Sequence, residues 1–267
     1  MDRDRVIWAV VRAYMVMPTF PCRHHAGLQS AAARCLKPMR LVRLLRRASL
    51  GRWLYAYTMS AKDPYRRIAG VYDRLIEPMQ AGVREVALGV VPPQREWHVL
   101  DVGCGTGTGI ARYVEAGCTV IGVDVSAAML ARARARLGEG VELHLTDGDT
   151  LPFDGGSFEL VTTSMVLHEV PAEARTALVT EMARVAKPDG RLLFIDFRFG
   201  SLRGWKGPTL RVLSSVIERF SGHHSGYRSF KAVGGVPTVV GEAGLGIERE
   251  KIVAGGNVAI YVVAPQP

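Results

Sequence analysis

The chain has 267 residues, 48% of them apolar and 22% charged, a composition that excludes a wholly disordered or fibrous protein. Its net charge of +9 comes from 34 basic and 25 acidic residues. The excess is local: residues 1–52 hold 11 basic residues against Asp2 and Asp4, while the other 215 residues hold 23 of each sign. A neutral body argues against the broad basic face of a nucleic-acid binder, so no nucleic-acid partner is expected. Cys22, Cys35, Cys104 and Cys118 form neither a C-x-x-C pair nor a disulfide framework, which reads as a reducing, cytoplasmic setting.

Residues 1–60 differ from the rest, being rich in Arg and Met and nearly free of acid. They read as a basic N-terminal extension, helical or partly disordered, followed by a second unit over residues 61–267. Val6–Met17 is apolar, but Arg12 interrupts it and Pro18 ends it. It is shorter than the ~18–20 residues of a membrane span and lacks the features of a signal peptide. In Arg40–Ala48, Leu41, Leu44, Leu45 and Ala48 share one helical face and Arg40, Arg43, Arg46 and Arg47 the other. Three readings stand: a helix over residues 40–54 in peripheral contact with an anionic membrane, a helix docked on the core, or an unordered extension. Cys22, His24, His25 and Cys35 match no common zinc spacing, so no metal is expected.

From Trp97 the chain alternates regularly. Trp97–Val102 reads as a strand entering the glycine loop 103–107, and a helix follows through about Gly117. Thr119–Val123 reads as a second strand, and Ser126 as the N-cap of a helix over Ala127–Leu137. Strands are expected at Val141–Thr146 and Phe158–Ser164, then a helix from Ala172 to Val185 that stops at Lys187-Pro188-Asp189-Gly190, then a strand over Arg191–Phe197. A helix over Leu210–Phe220 precedes two β-rich runs, Ile247–Val253 and Asn257–Val263, separated by a hairpin signal. Strands alternating with helices imply a doubly wound α/β fold, a parallel sheet with helices on both faces.

Three acidic positions follow the first three strands. Asp101-Val-Gly-Cys-Gly-Thr-Gly107 closes the first. It departs from the dinucleotide fingerprint G-x-G-x-x-G, because Thr108 or Ile110 stands where the third glycine belongs. It is not a phosphate loop either, since no Lys occurs between Lys62 and Lys187. Asp124 ends the second strand, where a carboxylate can accept hydrogen bonds from a ribose diol. Asp147, in Asp147-Gly-Asp-Thr-Leu-Pro-Phe153, follows the third and can accept from an exocyclic amine. Any one of these alone reads as a cap or turn residue; in series they point to an adenosine-containing ligand.

Residues 99–107, 122–126 (Gly-Val-Asp-Val-Ser), 147–153 and 187–193 (Lys-Pro-Asp-Gly-Arg-Leu-Leu) resemble the class I S-adenosylmethionine-dependent methyltransferases. Tyr65-Arg-Arg-Ile-Ala-Gly-Val-Tyr-Asp73 is similar to the N-terminal motif of the ubiquinone/menaquinone biosynthesis group. The resemblance spans roughly residues 62–265. It implies a Rossmann-like sheet of seven strands with an antiparallel member near the C-terminus, and S-adenosyl-L-methionine as cofactor. It also implies roles. Asp101 orients the loop and the methionine amino group, and Gly103, Gly105 and Gly107 pass beneath methionine and ribose. Asp124 holds the ribose with Val125 beside it, Asp147 and Gly148 hold the adenine, Ser164 lines the methionine end, and Tyr72 closes over the cofactor.

A sulfonium methyl is already activated, so the main task is to align a nucleophile at roughly 3–3.5 Å and exclude water. A base is needed only for an acceptor that loses a proton. His168, after the fourth strand, is the candidate general base, against a structural role in its loop. His223, His224, Tyr227 and Arg228 are candidate acceptor-binding residues suited to an aromatic or anionic molecule. Cys104 is not expected to act. The expected enzyme methylates O or C of a small lipophilic or aromatic acceptor, quinone-, polyketide- or sterol-like. The alternative is an RNA methyltransferase using the basic segment, but Thr163-Ser-Met-Val166 lacks the Asn/Asp-Pro-Pro-aromatic motif of base-amino methyltransferases.

Overall fold

The computed structural model describes residues 63, 65, 69–148, 150–204, 206–221 and 224–265. The extension 1–60, with the expected basic helix and the Cys22, His24, His25 and Cys35 positions, lies outside them. Residues 64–267 form one compact unit. The elements are α1 (Ala69–Val90), β1 (His98–Val102), α2 (Thr108–Glu115), β2 (Thr119–Asp124), α3 (Ala127–Leu137), β3 (Glu142–Leu145), β4 (Phe158–Ser164), α4 (Ala172–Val185), β5 (Ala186–Phe197), α5 (Lys206–Ser221), α6 (His224–Val233), α7 (Val236–Glu242), β6 (Ile247–Val253) and β7 (Val258–Val263).

The seven strands run in the order β3-β2-β1-β4-β5-β7-β6. The first five are parallel, and β7 is antiparallel to both β5 and β6. The doubly wound expectation holds, as does the antiparallel C-terminal member. The hairpin signal at 254–256 is real, but its second strand inserts between β5 and the first. That placement follows from burial: β7 is buried along its length, while β6 carries Glu248, Arg249, Glu250 and Lys251 on the edge. A charged edge strand discourages further pairing.

Side chains alternate across the sheet into two cores. Leu100, Val123, Val161, Leu192 and Phe194 face α4, α6 and α7. Val99, Val120, Leu160, Leu193 and Ile195 face α1, α2 and α3. The period of two along each strand is what lets one sheet bury both faces. Ser126 caps α3 as expected, its Oγ accepting from Met129 N at 3.1 Å.

Helix α4 ends at Val185 as expected, but β5 starts at Ala186 rather than Arg191 and takes in the Lys187–Gly190 stop. There Phe158 pairs with Ala186 and Leu160 with Arg191, so four residues bulge opposite Glu159. Pro188 has no N–H for a ladder bond. A Cβ at Gly190 would lie 2.9–3.0 Å from three carbonyl oxygens, those of Phe158, Glu159 and Lys187. Strand β4 is tied to β1 by Thr163 Oγ1, which donates to the Val102 carbonyl at 2.8 Å. The carboxyl ends of β1, β2, β3 and β4 thereby converge on one rim, the place where open α/β sheets bind ligands.

Candidate active site

A cavity of about 360 Å³ opens at that rim. Gly103 and Gly105 form its floor after β1. Asp124, Val125 and Met129 come from the end of β2 and from α3, and Thr146, Asp147, Gly148 and Leu151 from the segment after β3. Ser164, Met165, Val166, Glu169, Val170 and Pro171 follow β4, Ala174 and Leu178 belong to α4, and Tyr65 precedes α1.

The glycine loop is shaped by contacts on both sides. Its Gly103 N and Cys104 N donate to the Val123 carbonyl at 2.8 and 3.0 Å, and Gly105 N donates to Asp124 Oδ2 at 2.8 Å. Asp124 Oδ1 accepts from Ser126 N, also at 2.8 Å. One buried carboxylate thus holds the loop and the start of α3 together at the cavity wall. Gly103 has φ +74°, and a Cβ there would overlap the Val166 side chain. Both facts require glycine. After β3, Gly148 N donates to Thr146 Oγ1 at 3.2 Å. Helix α4 then pins the next turn, with Glu181 accepting from Leu151 N at 3.1 Å and Arg184 donating to the Leu151 and Phe153 carbonyls.

Seven of the ten expected cofactor residues meet here: Gly103, Gly105, Asp124, Val125, Asp147, Gly148 and Ser164. Gly107 does not. With φ +78°, it lets the start of α2 approach α3, where a Cβ would lie 2.8 Å from Leu137 Cδ1. Asp101 is 5% exposed and lines a separate small cavity with Arg84, Gly109, Tyr113 and Thr162; Ser164 lines both cavities. Burial raises the Asp101 carboxyl to about 7, with the Arg84 charge opposing the rise and Asp124 adding to it. Tyr72 lies on α1, and its side chain is outside the described residues.

His168 does not line this cavity. The residue is 1% exposed, and its ring lies edge-on to Phe197 at 4.7 Å, with Nδ1 2.8 Å from Asp196 Oδ1. Its backbone N also donates to Asp196, at 3.3 Å. The turn that holds it, Glu169 N to the Val166 carbonyl at 2.9 Å, directs the next side chain outward, and Glu169 lines the cavity instead. Of the expected acceptor residues, His223 and the His224 side chain lie outside the described residues. Arg228 is exposed and away from the cavity. Tyr227 is buried against Phe197 and Phe199, and its hydroxyl has no hydrogen-bond partner among the described residues.

Sequence reading missed the β4–α4 wall. Glu169 stood beside the residue it singled out, and Tyr65 began the N-terminal motif; neither carried a signal of its own. The Tyr65 hydroxyl donates to Glu169 Oε2. Met165 adopts φ +60° at the cavity edge, backbone strain that clusters at functional sites.

The ionisable groups lining the cavity among the described residues are Asp124, Asp147, Glu169 and Tyr65, with no Lys, Arg or His. Such a wall repels phosphates and favours a ligand carrying positive charge.

A methyltransferase-domain family model matches residues 99–190. The chain is 33% identical over 187 residues to a demethylmenaquinone methyltransferase of Beutenbergia cavernae, covering 66% of this chain and 75% of that protein. The chain belongs to the S-adenosylmethionine-dependent methyltransferases. The methyltransferase is also 38% identical to the demethylmenaquinone methyltransferase of Renibacterium salmoninarum, over 53% of this chain and 59% of that one. With a nocamycin O-methyltransferase of Saccharothrix syringae it shares 35% identity over 55% of each. It thus spans little more than half the length of these two relatives. In fold it is similar to the putative methyltransferase bound to the Haloferax volcanii Trm112 activator (TM-score 0.58, 17% identity, 77% of this chain and 97% of that one). It is also similar to an S-adenosylmethionine-dependent methyltransferase of Mesorhizobium loti (TM-score 0.52, 21% identity, 67% and 95%).

S-adenosylmethionine is the cofactor, and the residues present fit it. A Cβ built at Gly105 meets nothing within 4 Å, although its backbone lines the cavity, so the floor has room for a ligand lying close. The acid-only wall suits a cation. When bound, the cofactor supplies a methyl group on a positively charged sulfur.

Proposed function

We propose that the methyltransferase acts on oxygen or carbon of a small, neutral, lipophilic acceptor of the quinol class. In this reading Asp124 accepts hydrogen bonds from the ribose hydroxyls of the cofactor. Asp147 accepts from the adenine amine, with Val125 and Gly148 against the ring. Ser164, which lines both cavities, marks the methionine end. Met165, Val166, Val170 and Pro171 keep water from the reacting atoms.

The observation that carries the acceptor class is the cavity wall after β4, apolar apart from Ser164 and Glu169 and without a basic side chain among the described residues. An anionic acceptor would meet carboxylates there and no counter-charge. That weighs against the anionic option and favours a neutral, apolar one. The names of the relatives, demethylmenaquinone and nocamycin methyltransferases, point the same way.

The test is incubation of the full chain with methyl-labelled S-adenosylmethionine and a short-chain demethylmenaquinol kept reduced. A product heavier by one methyl group is expected. No label in the quinol, from protein that binds S-adenosylhomocysteine normally, rules this acceptor class out. In that case the labelled product from a cell extract identifies the acceptor.

A further inference from the structure

We infer that Glu169 is the group that takes the proton from the acceptor hydroxyl, held by Tyr65 on one carboxylate oxygen and backed by His168 on the other. The inference rests on the methyl-transfer reading above and adds a residue to it. Three carboxylates line the cavity among the described residues. Both oxygens of Asp124 hold backbone N–H groups of the loop and of α3, and Asp147 follows β3 on the adenine side. Glu169 alone belongs to the segment after β4, within the apolar wall assigned to the acceptor.

Its surroundings order it. The Tyr65 hydroxyl donates to Oε2, and Tyr65 itself lines the cavity. His168 Nε2 lies 3.8 Å from Oε1, and Asp196 fixes that ring through Nδ1 at 2.8 Å. Arg175, on α4, ties down the backbone just before His168. It donates to the Leu167 and Gly226 carbonyls at 3.0 and 2.8 Å and lies over the Phe230 ring at 5.1 Å. Among the described residues, the titratable groups placed around Glu169 are Tyr65, His168 and Asp196. Of these only Tyr65 shares the cavity with it. His168 and Asp196 act through Glu169 as positioning residues, because neither reaches the cavity.

A phenol is roughly six pKa units weaker as an acid than a glutamic acid, so the proton does not leave ahead of methyl transfer. It leaves as the acceptor's electron pair commits to the methyl carbon. The acceptor O–H bond breaks and the bond to CH3 forms at that oxygen or, in a quinol, at the adjacent ring carbon, which then loses its C–H proton as the ring regains aromaticity and the oxygen is reprotonated; the S–CH3 electron pair returns to sulfur, and Glu169 ends the transfer step as the carboxylic acid.

The test uses the full chain loaded with S-adenosylhomocysteine and two probes, 1-naphthol and 1-methoxynaphthalene, which compare a hydroxyl with its methyl ether. Calorimetry is expected to show 1-naphthol bound at least about tenfold tighter by the wild-type protein, the scale of a hydrogen bond to a charged acceptor. In Glu169→Gln, isosteric and checked for an unchanged melting temperature, the preference should fall below about threefold. Equal binding of the probes by wild type, a preference that survives in Glu169→Gln, or failure of both probes to bind overturns the assignment. A second arm follows methylation of the short-chain demethylmenaquinol. Glu169→Gln should lower kcat by about a hundredfold or more and abolish the rise of kcat/KM with pH. If the quinol is not methylated while the naphthol preference persists, the quinol reading fails and the assignment of Glu169 stands.

Discussion

Asp101→Asn gives a measurable link between burial and charge in this fold. The wild-type carboxyl is moved from 3.8 to about 7, chiefly by burial. Between those pH values the native protein holds a proton there that the unfolded chain has lost. Stability therefore falls as pH rises across the window and levels off above about 7. At about 1.4 kcal/mol per pH unit, the loss is about 4 kcal/mol for the ligand-free protein. Asn keeps the shape of the neutral acid and does not titrate, so the variant gains about 4 kcal/mol relative to wild type between pH 4 and pH 8. Every other titrating group is common to both proteins and cancels in the difference. Urea denaturation of both at pH 4, 5, 6, 7 and 8 measures it. Parallel pH profiles would falsify the argument. A variant that loses stability relative to wild type as pH rises would mean that Arg84 outweighs burial at this site.

Asp124→Ala should weaken S-adenosylhomocysteine binding by about 1.5–3 kcal/mol, the scale of a charge-assisted hydrogen bond; unchanged affinity by calorimetry contradicts the ribose role. Gly103→Ala forces a side chain into the left-handed region and into Val166. The backbone term alone costs about 1–2 kcal/mol, so a lower melting temperature is expected together with weaker cofactor binding. Arg175→Met leaves the Leu167 and Gly226 carbonyls without their donor and removes a buried charge facing Asp196. A loss of about 3 kcal/mol or more is expected, read as a lower urea midpoint at an unchanged slope.

Much of the site was legible because its chemistry is local. A strand that ends in a carboxylate and a glycine-rich turn declares itself within a few residues, as at 99–107 and 122–126. The loop at Gly103, the cap at Ser126 and the positions of Asp124 and Asp147 on the rim all followed from that. The bulge at Lys187–Gly190 was not legible: Pro and Gly mark a turn equally well, and only the pairing of Phe158 and Leu160 with Ala186 and Arg191 keeps that segment in the strand.

The amino-acid order by itself determined the doubly wound fold, its family and the rim on which the cavity opens, since periodicity and turn chemistry act between near neighbours. Tertiary structure alone decided which side chains reach the cavity. Asp101 and Asp124 both close a strand, yet one is enclosed with Arg84 and the other lines the cavity. His168 and Glu169 are adjacent, yet Asp196, 28 residues further on, draws the imidazole inward and leaves the carboxylate to the cavity. Whether a polar side chain is buried or exposed depends on the partner it finds across the fold, and that partner is distant in sequence.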